Sequence, residues 1–157
     1  MHAGEREKDV DRLDKLEAIE AIKALKARYF RTMDTKDWAG LEAVFAPDLI
    51  ADFRLATGQF DETQLTHGAA PYVAKMAPML QDVSTVHHGH MAEIAILAPD
   101  SATGIWAMED KLWPQAGSQL PFRMLHGYGH YHERYVRLDG EWRIAEIKLT
   151  RLRVDVQ

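Results

Sequence analysis

Three histidines fall within four positions of one stretch, Thr85-Val86-His87-His88-Gly89-His90, out of eight in 157 residues. Imidazole is the side chain whose ordinary pKa lies nearest neutrality, so such a cluster can move protons, ligate a metal or do neither. A second chemically loaded stretch runs from Tyr29 to Asp34. Asp34 ends a helical pattern, where the helix dipole disfavours negative charge, so its carboxylate needs solvent or a partner. Tyr29 lies on the apolar face of that pattern, and its hydroxyl needs a partner if buried. Asp110 is the third oddity. Strand parity places it beside Trp106 and Met108, and a carboxylate on an apolar face is costly unless paired.

The elements that must position these groups are legible as periodicity. Leu13, Leu16, Ile19, Ile22, Leu25, Tyr29 and Met33 recur at spacings of three or four, which predicts a helix over 11–34 after a charged, frayed lead-in at 1–10. A short second helix follows, with Asp37 as its N-cap, Trp38, Leu41, Val44 and Phe45 as its apolar side, and Pro47 as its end. Residues 48–56 read as a strand, with a turn at Gly58 and a short pairing strand after it. Residues 68–80 read as a third helix, with Pro71 tolerated in its first turn and Tyr72, Val73, Met76 and Leu80 on one face.

Four long period-two segments come next, at 84–97, 102–113, 122–138 and 141–154. Asp139-Gly140 between the last two is a strong hairpin signal. Helices first and antiparallel strands afterwards make an α+β chain. Strands this long must coil, and three helices cover their concave side only in part. The expected architecture is a half-open cone, a strongly curved mixed or antiparallel sheet enclosing an apolar pocket with its helices.

Parity separates the histidines. His87, Gly89, Met91 and Glu93 share one face of their strand, and His88, His90, Ala92, Ile94 and Ile96 share the other. On the third long strand Gly129, Tyr131 and Glu133 oppose Tyr128, His130 and His132. Met33, Met91, Trp106, Met108 and Tyr131 are expected to line the pocket as substrate-binding residues. Ile94, Ile96 and Ile105 then leave an apolar convex face, for which a homo-oligomer is the expected cover.

Composition bounds the function. The length fits one domain, taken as residues 11–157. The absence of cysteine excludes disulfides, thiolate metal sites and a cysteine nucleophile, and the net charge of −5 offers no footprint for nucleic acid. No signal-peptide core or apolar membrane span is present, so a cytoplasmic location is the default expectation. His88-x-His90 and His130-x-His132, with Glu93 nearby, admit a cupin-like metal site. A long first helix and the lack of a second glycine-rich motif argue against it, and no metal or cofactor is expected.

Arg28-Tyr29-Phe30-Arg31-Thr32-Met33-Asp34-Thr35-Lys36-Asp37-Trp38 resembles the end of the first helix in SnoaL-like proteins of the nuclear transport factor 2-like superfamily. The Thr85-x-His87 strand start, Ala102-Thr103-Gly104-Ile105-Trp106 and Tyr131-His132-Glu133-Arg134-Tyr135 resemble its later strands, and the likeness spans about residues 13–154. The superfamily holds dehydratases, cyclases, isomerases and non-catalytic subunits. The resemblance to its eliminating enzymes (scytalone dehydratase, bile acid 7α-dehydratase and hexachlorocyclohexane dehydrochlorinase) implies a catalytic pair of His87 and Asp34 in a cone-shaped pocket. It further implies Tyr29, Asp110 and Arg151 as proton donors or charge stabilisers, Asp110 and Arg151 being equally a structural ion pair. The implied substrate is small, hydrophobic and cyclic, and the implied assembly a trimer or dimer. Ring closure, isomerisation and passive ligand binding stay open beside elimination.

Overall fold

The computed structural model describes residues 3–157, with side chains from Asp11 onward. Helix α1 spans Ala3–Asp34, α2 Trp38–Ala43 and α3 Ala69–Leu80. The strands are β1 Phe45–Asp52, β2 Leu65–His67, β3 Val83–Ala98, β4 Ser101–Pro114, β5 Leu125–Leu138 and β6 Glu141–Val156. The charged lead-in is helical from Ala3, so α1 begins eight residues before the expected start, and Met1 and His2 lie outside the described residues.

The six strands form one sheet in the order β2-β1-β6-β5-β4-β3. Every pairing is antiparallel except β1 with β6, which makes the sheet mixed. Asp139 and Gly140 both take positive φ, at 49° and 81°, the geometry of a two-residue hairpin turn between β5 and β6. Asp37 caps α2 by accepting from the Gly40 amide. Pro47 does not end α2, which already stops at Ala43. It lies inside β1, where the register with β6 breaks between Phe45 and Ile50, and a residue without an N–H is tolerated there.

The core lies between the concave sheet face, α1 and α3. Ile22, Leu25, Tyr29 and Met33 of α1 meet Tyr72, Val73 and Met76 of α3 over Trp106, Tyr131 and Leu149 of the sheet. Leu13 and Leu16 do not join them and are 56% and 61% exposed. Each step of three residues falls about 60° short of a full turn. Three such steps, from Leu13 to Ile22, therefore carry the stripe half-way round the helix.

A similar break occurs in β3. The register with β4 shifts between His90 and Glu93, and Met91 sits at φ 38°. This β-bulge reverses the faces beyond it. Met91, expected on the pocket wall, is 95% exposed, while Ile94 and Ile96, expected on the convex face, pack against the core. Of the three isoleucines on which the apolar convex face was argued, Ile105 alone remains outside.

Leu25→Ala should cost about 2–5 kcal/mol of stability through transfer and cavity terms. Leu13→Ala, on the far side of the helix, should stay within about 0.5 kcal/mol. Denaturant unfolding of both variants checks which face of α1 is buried.

Candidate active site

The C-terminal end of α1 abuts the start of β3, and this contact builds the first part of the site. The Asp34 carboxylate accepts three hydrogen bonds from β3. The Thr85 hydroxyl donates to Oδ1 at 2.9 Å, the His87 amide donates to Oδ2 at 2.9 Å, and His87 Nδ1 lies 2.6 Å from Oδ1. Burial pushes the Asp34 carboxyl up. The hydrogen bonds and charge of His87, with the Thr85 hydroxyl, outweigh this and hold it below the ordinary carboxylate value. With Nδ1 turned to a carboxylate, Nε2 is the imidazole nitrogen left for the cavity that His87 lines. Phe30 stacks on the imidazole at 6.4 Å between ring centres and 15° between planes. The phenyl ring reaches that place because residue 89 is glycine: a Cβ there would stand 2.8 Å from it.

Register fixes the second part. His87 pairs with Asp110, Asp110 with Gly127, and Arg151 with Gly129, so one band of the curved sheet carries all these groups. Arg151 grips Asp110 in a two-pronged ion pair at 2.8 and 2.9 Å, with each side chain 6% exposed. Its Nε donates to the Ala56 carbonyl at 2.8 Å, tying the β1–β2 connection to the site. A Cβ on Gly127 would fall 2.3 Å from Arg151 Nη1 and 2.4 Å from Asp110 Oδ1, so only glycine leaves room for the pair.

Three tyrosines form the third part. Tyr29 of α1, Tyr72 of α3 and Tyr131 of β5 are buried and share hydrogen bonds through Tyr29. Burial raises all three phenols far above their ordinary value. Neighbouring phenols add to this at Tyr29, and Asp110 adds to it at Tyr131 against the opposing charge of Arg151. They therefore stay protonated near neutrality, and their side chains line the cavity.

These groups converge on a cavity of about 270 Å3. Met33, Met76, Leu80, Leu112, Phe122 and Leu149 are among its apolar lining, and Arg54, Thr57, Asp61 and Gln64 are polar members of it. Tyr29, His87, Asp110, Tyr131 and Arg151 all line it, and Asp34 stands behind His87. Of the five residues expected to bind substrate, Met33 and Tyr131 line the cavity. Met91 is on the surface, as the bulge dictates. Met108 is buried beside Arg151, its sulfur 3.5 Å from Nη1, and does not reach the cavity. Trp106 is buried too, and its indole N–H donates to the Tyr135 hydroxyl at 2.9 Å. A larger groove of about 860 Å3 lies between the first half of α1 and the β3–β4 and β5–β6 turns. It contains none of these groups, so the smaller cavity is where chemistry is concentrated.

Trp106 leads to a feature that parity alone did not assign. Tyr135 donates to Glu133, Glu133 pairs with Lys26, and all three are buried. The Lys26 ammonium lies 4.0 Å from the Tyr29 ring centre and 3.8 Å from that of Tyr131, a cation against the undersides of two pocket phenols. Burial lowers its pKa to about 8, with the Glu133 carboxylate opposing. Lys26 lies one helical turn from Ile22 on the buried stripe, and Glu133 shares the Tyr131 face. A charge at either position must be buried and so needs a partner. His88 and His90 point away from the cavity, and among the described residues no three His, Cys, Asp or Glu side chains are grouped to hold a metal ion.

Comparison with known proteins agrees with this architecture. Residues 14–148 match the SnoaL-like domain, and the chain belongs to that family. It is 27% identical over 135 residues to Probable cyclase FGR4 of Gibberella zeae, covering 80% of this chain and 85% of the relative. It is 28% identical over 118 residues to a scytalone dehydratase-like protein of Claviceps purpurea, covering 73% and 75%. Among solved structures it superposes on the type 2 hexachlorocyclohexane dehydrochlorinase LinA with a TM-score of 0.75 at 17% identity, over 92% of each chain. That likeness shows the α+β cone of the nuclear transport factor 2-like fold. No described helix is long and apolar enough to cross a membrane.

A carboxylate held below its ordinary value in the folded state stabilises that state above the ordinary carboxylate range. The contribution is lost as pH falls through the folded value. Asp34→Asn should therefore lower stability at pH 7 and flatten the fall in stability below about pH 4. Thermal melts across pH 2–7 check this. Gly127→Ala should destabilise by about 1–3 kcal/mol, because the methyl group displaces the Arg151–Asp110 pair.

Proposed function

We propose that this chain is a cofactor-independent lyase or cyclase in which His87 removes a proton from carbon. The substrate would be a small hydrophobic cyclic molecule, with the proton lost from a carbon next to an electron-withdrawing group. The 2.6 Å contact of His87 Nδ1 with Asp34, at the wall of an apolar cavity, carries this reading. Asp34 would hold the tautomer that leaves Nε2 with a lone pair and would stabilise the imidazolium that forms. The C–H electron pair would become a ring double bond or an enolate. In an elimination, the leaving oxygen would depart with its bonding pair and take back the proton from the imidazolium.

Tyr131, held protonated and accepting from Tyr29, would donate its own proton to the developing oxyanion, a preorganised donor in a water-poor site. Arg151 commits four of its five N–H donors to Asp110, Ala56 and Met108, and Asp110 matches its charge, so the pair would act as a fixed dipole in the pocket wall and not as an anion receptor. A cavity of about 270 Å3 sits at the lower edge of the ~300–1,000 Å3 range of ligand pockets, which favours one or two rings over a steroid. The names of the curated relatives, a cyclase and a scytalone dehydratase-like protein, agree with chemistry that begins in a common deprotonation.

Deuterium exchange tests the shared step directly. A panel of one- and two-ring hydroxyketones is incubated with the protein in deuterated water, and loss of the acidic C–H is followed by NMR. At least one member should exchange, and His87→Ala should slow that exchange by about 10²–10⁴-fold with the fold unchanged. Equal exchange by His87→Ala would remove His87 as the base.

A further inference from the structure

Between α1 and α2 the chain turns through Lys36, whose φ of 61° lies in the left-handed region that lysine rarely occupies. Its side chain is half-buried and folds back toward β3. It donates to the Thr85 hydroxyl at 2.8 Å, and Thr85 is buried on β3. We infer that Lys36 is a positioning residue for the His87–Asp34 pair, acting through Thr85. The inference rests on the reading of His87 as the base.

The supply of protons fixes the direction of each hydrogen bond. An ammonium has three donors and no acceptor, so Thr85 Oγ must accept from Lys36. A hydroxyl has one proton, so Thr85 is left to give that proton to Asp34 Oδ1, 2.9 Å away. Oδ2 already accepts the His87 amide. Both carboxylate oxygens therefore face donors, which is the pattern of an ionised Asp34. His87 Nδ1 is then driven to the N–H form and Nε2 to the basic one. Without Lys36 the Thr85 hydroxyl can rotate, and Asp34 can hold a proton on Oδ1 against Nδ1, which leaves Nε2 carrying the ring proton with no lone pair for the cavity.

Among the described residues no other Lys or Arg is hydrogen-bonded to Thr85 or Asp34. Around this group stand Asp34 on α1, the indole of Trp38 on α2 at 6.0 Å from the ammonium, and Thr85 and His87 on β3. A lysine near a helix C-terminus also serves the helix dipole. That role needs neither the left-handed turn nor the inward ammonium.

Proton and nitrogen NMR of ring-labelled histidine tests the assignment without a substrate, with His87→Ala identifying the resonance. The unaltered chain should show a far-downfield His87 Nδ1–H signal at pH 7. In Lys36→Asn, which removes the charge and suits the left-handed backbone, that signal should shift or broaden away while the melting temperature holds or rises. Lys36→Arg should retain the signal, and Thr85→Val should lose it. An unchanged signal in Lys36→Asn, or its absence from the unaltered chain, overturns the inference. If the signal responds to Lys36 while His87→Ala exchanges substrate protons normally, positioning stands and the catalytic reading fails.

Discussion

A carboxylate at the carbonyl end of a long helix is the constraint on which the site depends. The dipole of α1 disfavours negative charge at Asp34, and partial burial adds to the penalty. The Thr85 hydroxyl, the His87 amide and the His87 ring on β3 offset both. These donors exist only if β3 begins against the helix end, which requires the sheet to curl until its edge strand meets α1. The curl also forms the cavity, so the interaction that orients His87 and the space that would admit a substrate have one origin.

The buried ion pairs Lys26–Glu133 and Arg151–Asp110 flank the tyrosine cluster. Buried pairs of this kind gain little net stability, yet losing one partner leaves a stranded charge costing about 3–5 kcal/mol. Their effect here is on the pocket floor. Arg151 anchors the β1–β2 connection, and Lys26 places positive charge beneath phenols that burial keeps protonated. The result is an apolar cavity with hydrogen-bond donors at one end, suited to a ring bearing an oxygen.

Much of this was legible in the chain. The separation of His87 from His88 follows from strand parity, and the need for partners at Asp34, Tyr29 and Asp110 follows from burial and the helix dipole. The partners themselves came from resemblance, because residues 34 and 87, or 110 and 151, have no local relation. Parity failed where it assumed an unbroken strand. The bulge at Met91 moved that residue outward and Ile94 and Ile96 inward, and nothing in the alternating pattern marks it. Lys26 and Glu133 went unassigned although the helical stripe and strand parity that placed Tyr29 and Tyr131 place them too. Gly127 and Gly89 reveal their purpose only when Arg151 and Phe30 are seen against them.

The seat of a bound ligand tests the roles of His87 and the cavity most directly. A crystal structure of the protein with a planar two-ring phenol should place the ring among Met33, Met76 and Leu149. Its oxygen-bearing edge should face the tyrosines, and a ring carbon or its oxygen should lie within about 3–3.5 Å of His87 Nε2, with Nδ1 still on Asp34. A ligand seated instead in the groove beside the first half of α1, or a His87 ring turned away from Asp34, would contradict those roles.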